Sequence, residues 1–156
     1  MEQINFKQSL ALLWITIMNQ SQSSKDVIRN VPILFERLGF KDEFKICSYE
    51  EIYYAMTTPT ILHRFPKRMS SYVTESLKVI SGRFDENPAN IFSDRKDIID
   101  NLMLFKGIGQ HKANIALYIY DCVMLHKILS IRELQCNICV EELIEELAYI
   151  YSLVDI

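Results

Sequence analysis

No stretch of this 156-residue chain is long and apolar enough to cross a bilayer. The most apolar runs, around Leu10–Met18 and Ile115–Leu125, are too short or too broken by polar residues, and the chain does not open with a charged-then-apolar leader. A cytoplasmic protein without membrane contact is therefore expected. Strand signals are nearly absent, and so are repeats at solenoid spacing and low-complexity segments. Cysteine is sparse. Of the four, Cys47, Cys122, Cys136 and Cys139, the last two form a Cys-x-x-Cys pair, but no second pair completes the four ligands of a zinc or iron–sulfur site. Reduced structural thiols, with no metal or cofactor, are expected. There is no basic excess either. A net charge of −3 does not advertise nucleic-acid binding, so any such surface must be a local patch.

What is present is a helical pattern in a chain that is 49% hydrophobic, which excludes disorder and suits one domain spanning residues 1–156. Phe6, Leu10, Leu13, Trp14 and Ile17 recur at three- and four-residue spacing and predict a first helix that ends near Asn19. Ser23 or Ser24 is expected to cap a second helix carrying Val27, Val31, Leu34, Phe35 and Leu38 and stopping at Gly39, with Pro32 marking a kink or a start nearer Val31. Ser48 and Glu51 form a capping box. Pro66 fits the first turn of a helix with Met69, Val73, Leu77 and Ile80 on one face and Gly82 at its close. Ser93 is expected to cap a helix through Met103, and Val140–Leu153 reads as the last helix. The expected fold is all-α, a bundle of about seven or eight helices.

The most specific stretch is Leu104-Phe105-Lys106-Gly107-Ile108-Gly109-Gln110-His111-Lys112-Ala113, in which one helical pattern enters a Gly-x-Gly turn and a second leaves it. Without a Cβ, Gly107 and Gly109 are free to take positive φ and to let the backbone approach a phosphate closely, while Ile108 plugs the turn into the core. The opening amides and dipole of the second helix favour an anion. Leu102 and Phe105 before the turn, and Ala113, Ile115, Ala116 and Ile119 after it, form its apolar frame.

Three blocks together resemble the helix-hairpin-helix DNA glycosylase superfamily, which contains endonuclease III and the adenine glycosylases of base excision repair. They are Trp14–Gln22 with Val31–Arg37, the segment Phe65–Phe84, and the turn Phe105–Ala113 with its following helix. The resemblance implies a protein that bends damaged double-stranded DNA, flips out one nucleotide and cuts its N-glycosidic bond. A base within the stack is out of reach, so extrusion is required, at a cost of a few kcal/mol that phosphate contacts offset. By position, Gly107, Ile108, Gly109, Gln110 and His111 would clamp the backbone, with Lys106 and Lys112 assisting electrostatically. Gln20 matches the glutamine that fills the gap left by the flipped base; read alone, it is a loop residue capping a neighbour. Arg64, Lys67 and Arg68 read as a solvated face or as a phosphate track along the helix start.

The chemistry departs from the family. The lysine that makes bifunctional members lyases would stand two residues after the second glycine, where this chain has His111, and Lys112 lies about 100° around a helix from it. Lyase activity is not expected. The family aspartate has no counterpart in Ile128–Leu134, whose single carboxylate is Glu133; Asp121 is the other candidate, though close to the turn. Ile17 replaces the glutamate of the adenine glycosylases. The family usually continues through another helix beyond Val140–Leu153, and a second copy of the chain is expected to cover the apolar face left without it. Three readings follow: a monofunctional glycosylase using Glu133 or Asp121, a DNA-binding relative without chemistry, and a helical protein-interaction domain in which Gly-x-Gly is an ordinary turn.

Overall fold

Asn5 opens the first helix by accepting the Gln8 N–H (2.8 Å) while the Gln8 side chain accepts the Asn5 N–H (3.0 Å), a reciprocal cap that satisfies two helix-end donors. The computed structural model describes residues 4–126, with side chains through residue 121. Among them there are six α-helices and no strand: α1 Phe6–Met18, α2 Ser24–Leu38, α3 Tyr49–Thr57, α4 Pro66–Arg83, α5 Ile98–Leu102 and α6 Gln110–His126, with 3₁₀ turns at Pro88–Phe92 and Arg95–Asp97. The all-α expectation is met there, and no helix among the described residues is long and apolar enough to cross a membrane. The expected helix Val140–Leu153 lies outside the described residues.

The helix α1 is the centre of the packing. Ten of its thirteen residues are buried, because α2, α4, α6 and the first 3₁₀ turn surround it; its apolar stripe has become almost a full cylinder. Trp14 is fully buried, meets Phe35 and Phe40 edge-on with ring centroids 5.0 and 5.5 Å away, and donates its indole N–H to Ser76 Oγ at 3.0 Å.

Several local expectations need correction. α2 runs unbroken from Ser24 through Pro32 to Leu38. A proline costs a helix interior about 3 kcal/mol, and the Ser23 cap together with burial of Val27, Ile28, Val31, Leu34, Phe35 and Leu38 outweighs it. Gly82 does not close α4. The helix continues to Arg83, Phe84 caps it with its N–H on the Ile80 carbonyl (3.0 Å), and the left-handed turn falls at Asp85 and Glu86. Burial of Phe84 against the Phe105 ring, 5.9 Å away and nearly parallel, carries the chain past the glycine. Ser93 follows one 3₁₀ turn, and Asp94 caps the next.

Candidate nucleic-acid interface

A helix ends with carbonyls that have no intrahelical partner and with the negative pole of its dipole. At the C-terminus of α1 these carbonyls draw in two side chains from distant segments. Lys112 Nζ, from α6, donates to the Ile17 carbonyl at 3.2 Å, and His63 Nε2 lies 2.8 Å from the Met18 carbonyl. The connections 19–23, 58–65 and 103–109 consequently meet at one end of the molecule. Side-chain amides stitch the first two. Gln22 donates to the Leu62 carbonyl (3.2 Å) and accepts the Arg64 N–H (2.6 Å), and Asn30 donates to the same Leu62 carbonyl (2.8 Å).

Gln20 sits in the first connection, half-buried, with its backbone N–H on the Met18 carbonyl (2.8 Å). Its Oε1 is shielded from solvent and accepts no hydrogen bond among the described residues. Leaving a shielded polar oxygen unbonded is costly, so the side chain does not stabilise this loop through that oxygen.

The two glycines of the turn divide in behaviour. Gly107 takes φ +91°, and a Cβ there would stand 2.9 Å from Tyr72 Cδ2, so any other residue at this position is strained. Gly109 contradicts the expectation of positive φ; it lies outside the left-handed region, and a Cβ would meet nothing within 4 Å. Its exposed backbone is instead the position from which α6 starts, its carbonyl accepting the Ala113 N–H at 2.9 Å. Ile108 is buried between the two, as are Leu102, Phe105, Ala113, Ile115, Ala116 and Ile119 around them. The apolar frame read from the sequence is the observed one.

Cations ring this end. Arg64, Lys67, Arg68 and Lys106 are exposed, and none forms an ion pair among the described residues. The guanidiniums of Arg64 and Arg68 lie 5.8 and 5.5 Å from the centroid of the exposed Phe65 ring. With Tyr53, Pro66 and Lys67 they line a cavity of about 360 Å³. No acidic residue occupies the first turn of α4, where a carboxylate would favour the dipole; Lys67 and Arg68 stand there instead. Lys112 differs from these cations. It is half-buried, with its ammonium turned onto the α1 terminus, whereas His111 beside it is exposed. Gln110 is also exposed and donates to Asn114 Oδ1 at 3.2 Å.

Of the candidate carboxylates, Asp121 is not part of this group. Asp121 is about 16 Å further along α6 from Gln110 by helical rise, and both of its oxygens are held by the Arg95 guanidinium. Glu133 lies outside the described residues. Among the described residues no three of His, Cys, Asp and Glu gather as a metal site.

Sequence reasoning singled out neither His63 nor Gln22. No motif surrounds His63, and its importance follows from burial: it is 1% exposed with both ring nitrogens engaged, the second accepting the Phe65 N–H at 2.9 Å. Burial, ahead of the nearby Lys112 charge, pushes its pKa below the ordinary 6.5, against the contrary pull of its backbone hydrogen bonds. No family model, curated protein or solved structure matches this chain.

Proposed function

We propose that this protein binds damaged duplex DNA as a divergent member of the helix-hairpin-helix DNA glycosylase superfamily. In this reading α5, the Gly107–Gly109 turn and α6 are the helix-hairpin-helix. The observation that supports it best is the meeting, at one end of α1, of the Gly-x-Gly turn, the Gln20 loop and the cations Arg64, Lys67, Arg68 and Lys106, with no carboxylate among the described residues paired to any of them. Phosphates are the natural ligands of such a face: hairpin amides and cations bind them without reading sequence, and a local patch suffices in a protein of net charge −3. The open space at Gly109 leaves room for a phosphate to approach the backbone. Gln20, with a shielded oxygen lacking a partner, is a group that contact with an unpaired base would satisfy.

Excision of a base by hydrolysis of the N-glycosidic bond requires a carboxylate that stabilises the oxocarbenium-like sugar or activates water. Glu133 is the residue to test first, since Asp121 is already neutralised by Arg95. That same ion pair favours a second reading, a DNA-binding relative that performs no chemistry. Fluorescence anisotropy with intact duplex and duplex carrying a stable abasic analogue, titrated across salt, tests both. Preference for the abasic analogue supports a flipping site, equal salt-sensitive binding supports the binder without chemistry, and absence of binding removes DNA and leaves a protein-interaction domain. For an active protein, base release by Glu133→Gln at the unaltered rate would exclude that carboxylate.

A further inference from the structure

His63 joins two parts of the proposed DNA face that are separated in sequence. On one side its Nε2 meets the Met18 carbonyl, at the root of the Gln20 loop (2.8 Å); on the other its Nδ1 accepts the N–H of Phe65, the residue that opens α4 between Arg64 and Lys67 (2.9 Å). An Nδ1 that accepts carries no proton, so the hydrogen is on Nε2 and the ring is neutral. A second proton would place an N–H on Nδ1 directly against the Phe65 N–H. It would also place a positive charge in a buried site beside Lys112 of α6. From α1 and the loop after it the ring is faced by the Met18 and Gln20 backbones, which favour the charged form. Burial and the Lys112 charge outweigh them and disfavour the charged ring in its present seat.

We propose that His63 is a positioning residue: in its neutral Nε2–H form it fixes the span between the Gln20 loop and the basic start of α4, and its protonation releases the two and weakens DNA binding. This rests on the DNA-binding reading above. The direction is distinctive. Acidification ordinarily strengthens a protein's hold on DNA, because carboxylates lose and histidines gain charge; here it weakens it. Once the pH falls below the ordinary histidine value of 6.5, the ratio of released to fixed forms rises about tenfold per pH unit.

The test is duplex affinity by fluorescence anisotropy at constant ionic strength, followed from pH 7.5 to 5.0 for the wild-type protein and for His63→Gln, whose amide can still donate to the Met18 carbonyl but does not titrate. The expected result is a loss of affinity for the wild type and a level or rising affinity for the variant. A wild-type affinity that holds or rises on acidification, or a variant that falls in parallel, overturns the proposal. Nuclear magnetic resonance of the wild-type protein without DNA separates this outcome from failure of the DNA reading, and serves as well if the variant does not fold. The His63 ring should titrate below 6.5 with the Phe65 and Gln20 amide signals moving at the same midpoint; amides that stay still while the ring titrates overturn it even if the protein binds no DNA.

Discussion

The packing around Trp14 and the loop face at the C-terminus of the same helix are held by different forces. Around Trp14, Phe35 and Phe40 fill space together with the rest of the buried core, and burial does the stabilising. At the loop face, directed hydrogen bonds from Lys112, His63, Gln22 and Asn30 hold the neighbouring segments, each to a particular carbonyl or amide. A dispersed apolar core tolerates little loss of volume but is indifferent to pH. A face held by a few directed bonds gives up little stability when one is cut, yet its geometry, and any binding that depends on it, changes at once.

The largest effect expected from breaking this contrast is on the apolar side. Trp14→Ala should cost about 3–5 kcal/mol in urea unfolding, since it opens a large cavity and leaves Ser76 Oγ without the indole N–H. A loss under about 1 kcal/mol would mean that Trp14 is not the keystone of the packing. Next comes the paired test at the turn. Gly107→Ala forces a side chain into the left-handed region against Tyr72 and should cost about 1–2 kcal/mol, whereas Gly109→Val should leave stability nearly unaltered and weaken DNA binding. Equal stability losses at both glycines would dissolve the division of labour between them, and intact DNA binding by folded Gly109→Val would remove the turn from the proposed interface.

Acid acts on the directed side. His63 has a folded-state pKa below the ordinary 6.5, so the unfolded chain takes up a proton first as pH falls. Stability is accordingly full above 6.5 and decreases below it, with a slope of at most about 1.4 kcal/mol per pH unit until the folded-state pKa is reached. Urea midpoints for wild type and His63→Gln between pH 7.5 and 5 measure this, and parallel curves would show that another group titrates. Lys112→Met should then cost about 1 kcal/mol by removing the Ile17 cap. The smallest effect is expected at Asp121→Asn, which breaks an ion pair with the exposed Arg95 and should leave DNA binding alone. Loss of base release in that variant would instead identify Asp121 as the carboxylate.

Reading from sequence succeeded where the determinants are local. The caps at Ser23 and Ser48, the proline start of α4 and the glycine stop at Gly39 each rest on one residue and its neighbours within a turn. It failed where distant packing outweighed a local preference: α2 did not start near Val31, Gly82 did not end α4, and Gly109 did not turn left-handed. The candidate site divides in the same way. The Gly-x-Gly turn, Gln20 and the basic residues Lys67 and Arg68 were legible because they lie in short recognisable runs. Lys112 was read as an electrostatic aid to phosphate binding, and its turn onto the Ile17 carbonyl became visible only when α6 was placed against α1.

The sequence by itself determined that the described chain is helical, where most of those helices begin and end, and which apolar residues frame the Gly-x-Gly turn; these follow from periodicity and caps acting over a few residues. The tertiary structure alone decided that His63 becomes a buried neutral pin between two loops, that Gly107 rather than Gly109 is the glycine the fold requires, and that Asp121 is bound to Arg95. Each depends on a partner 26 or more residues away, as in Arg95–Asp121 (26) and His63–Met18 (45), and no local pattern records a contact that exists only after the helices have packed.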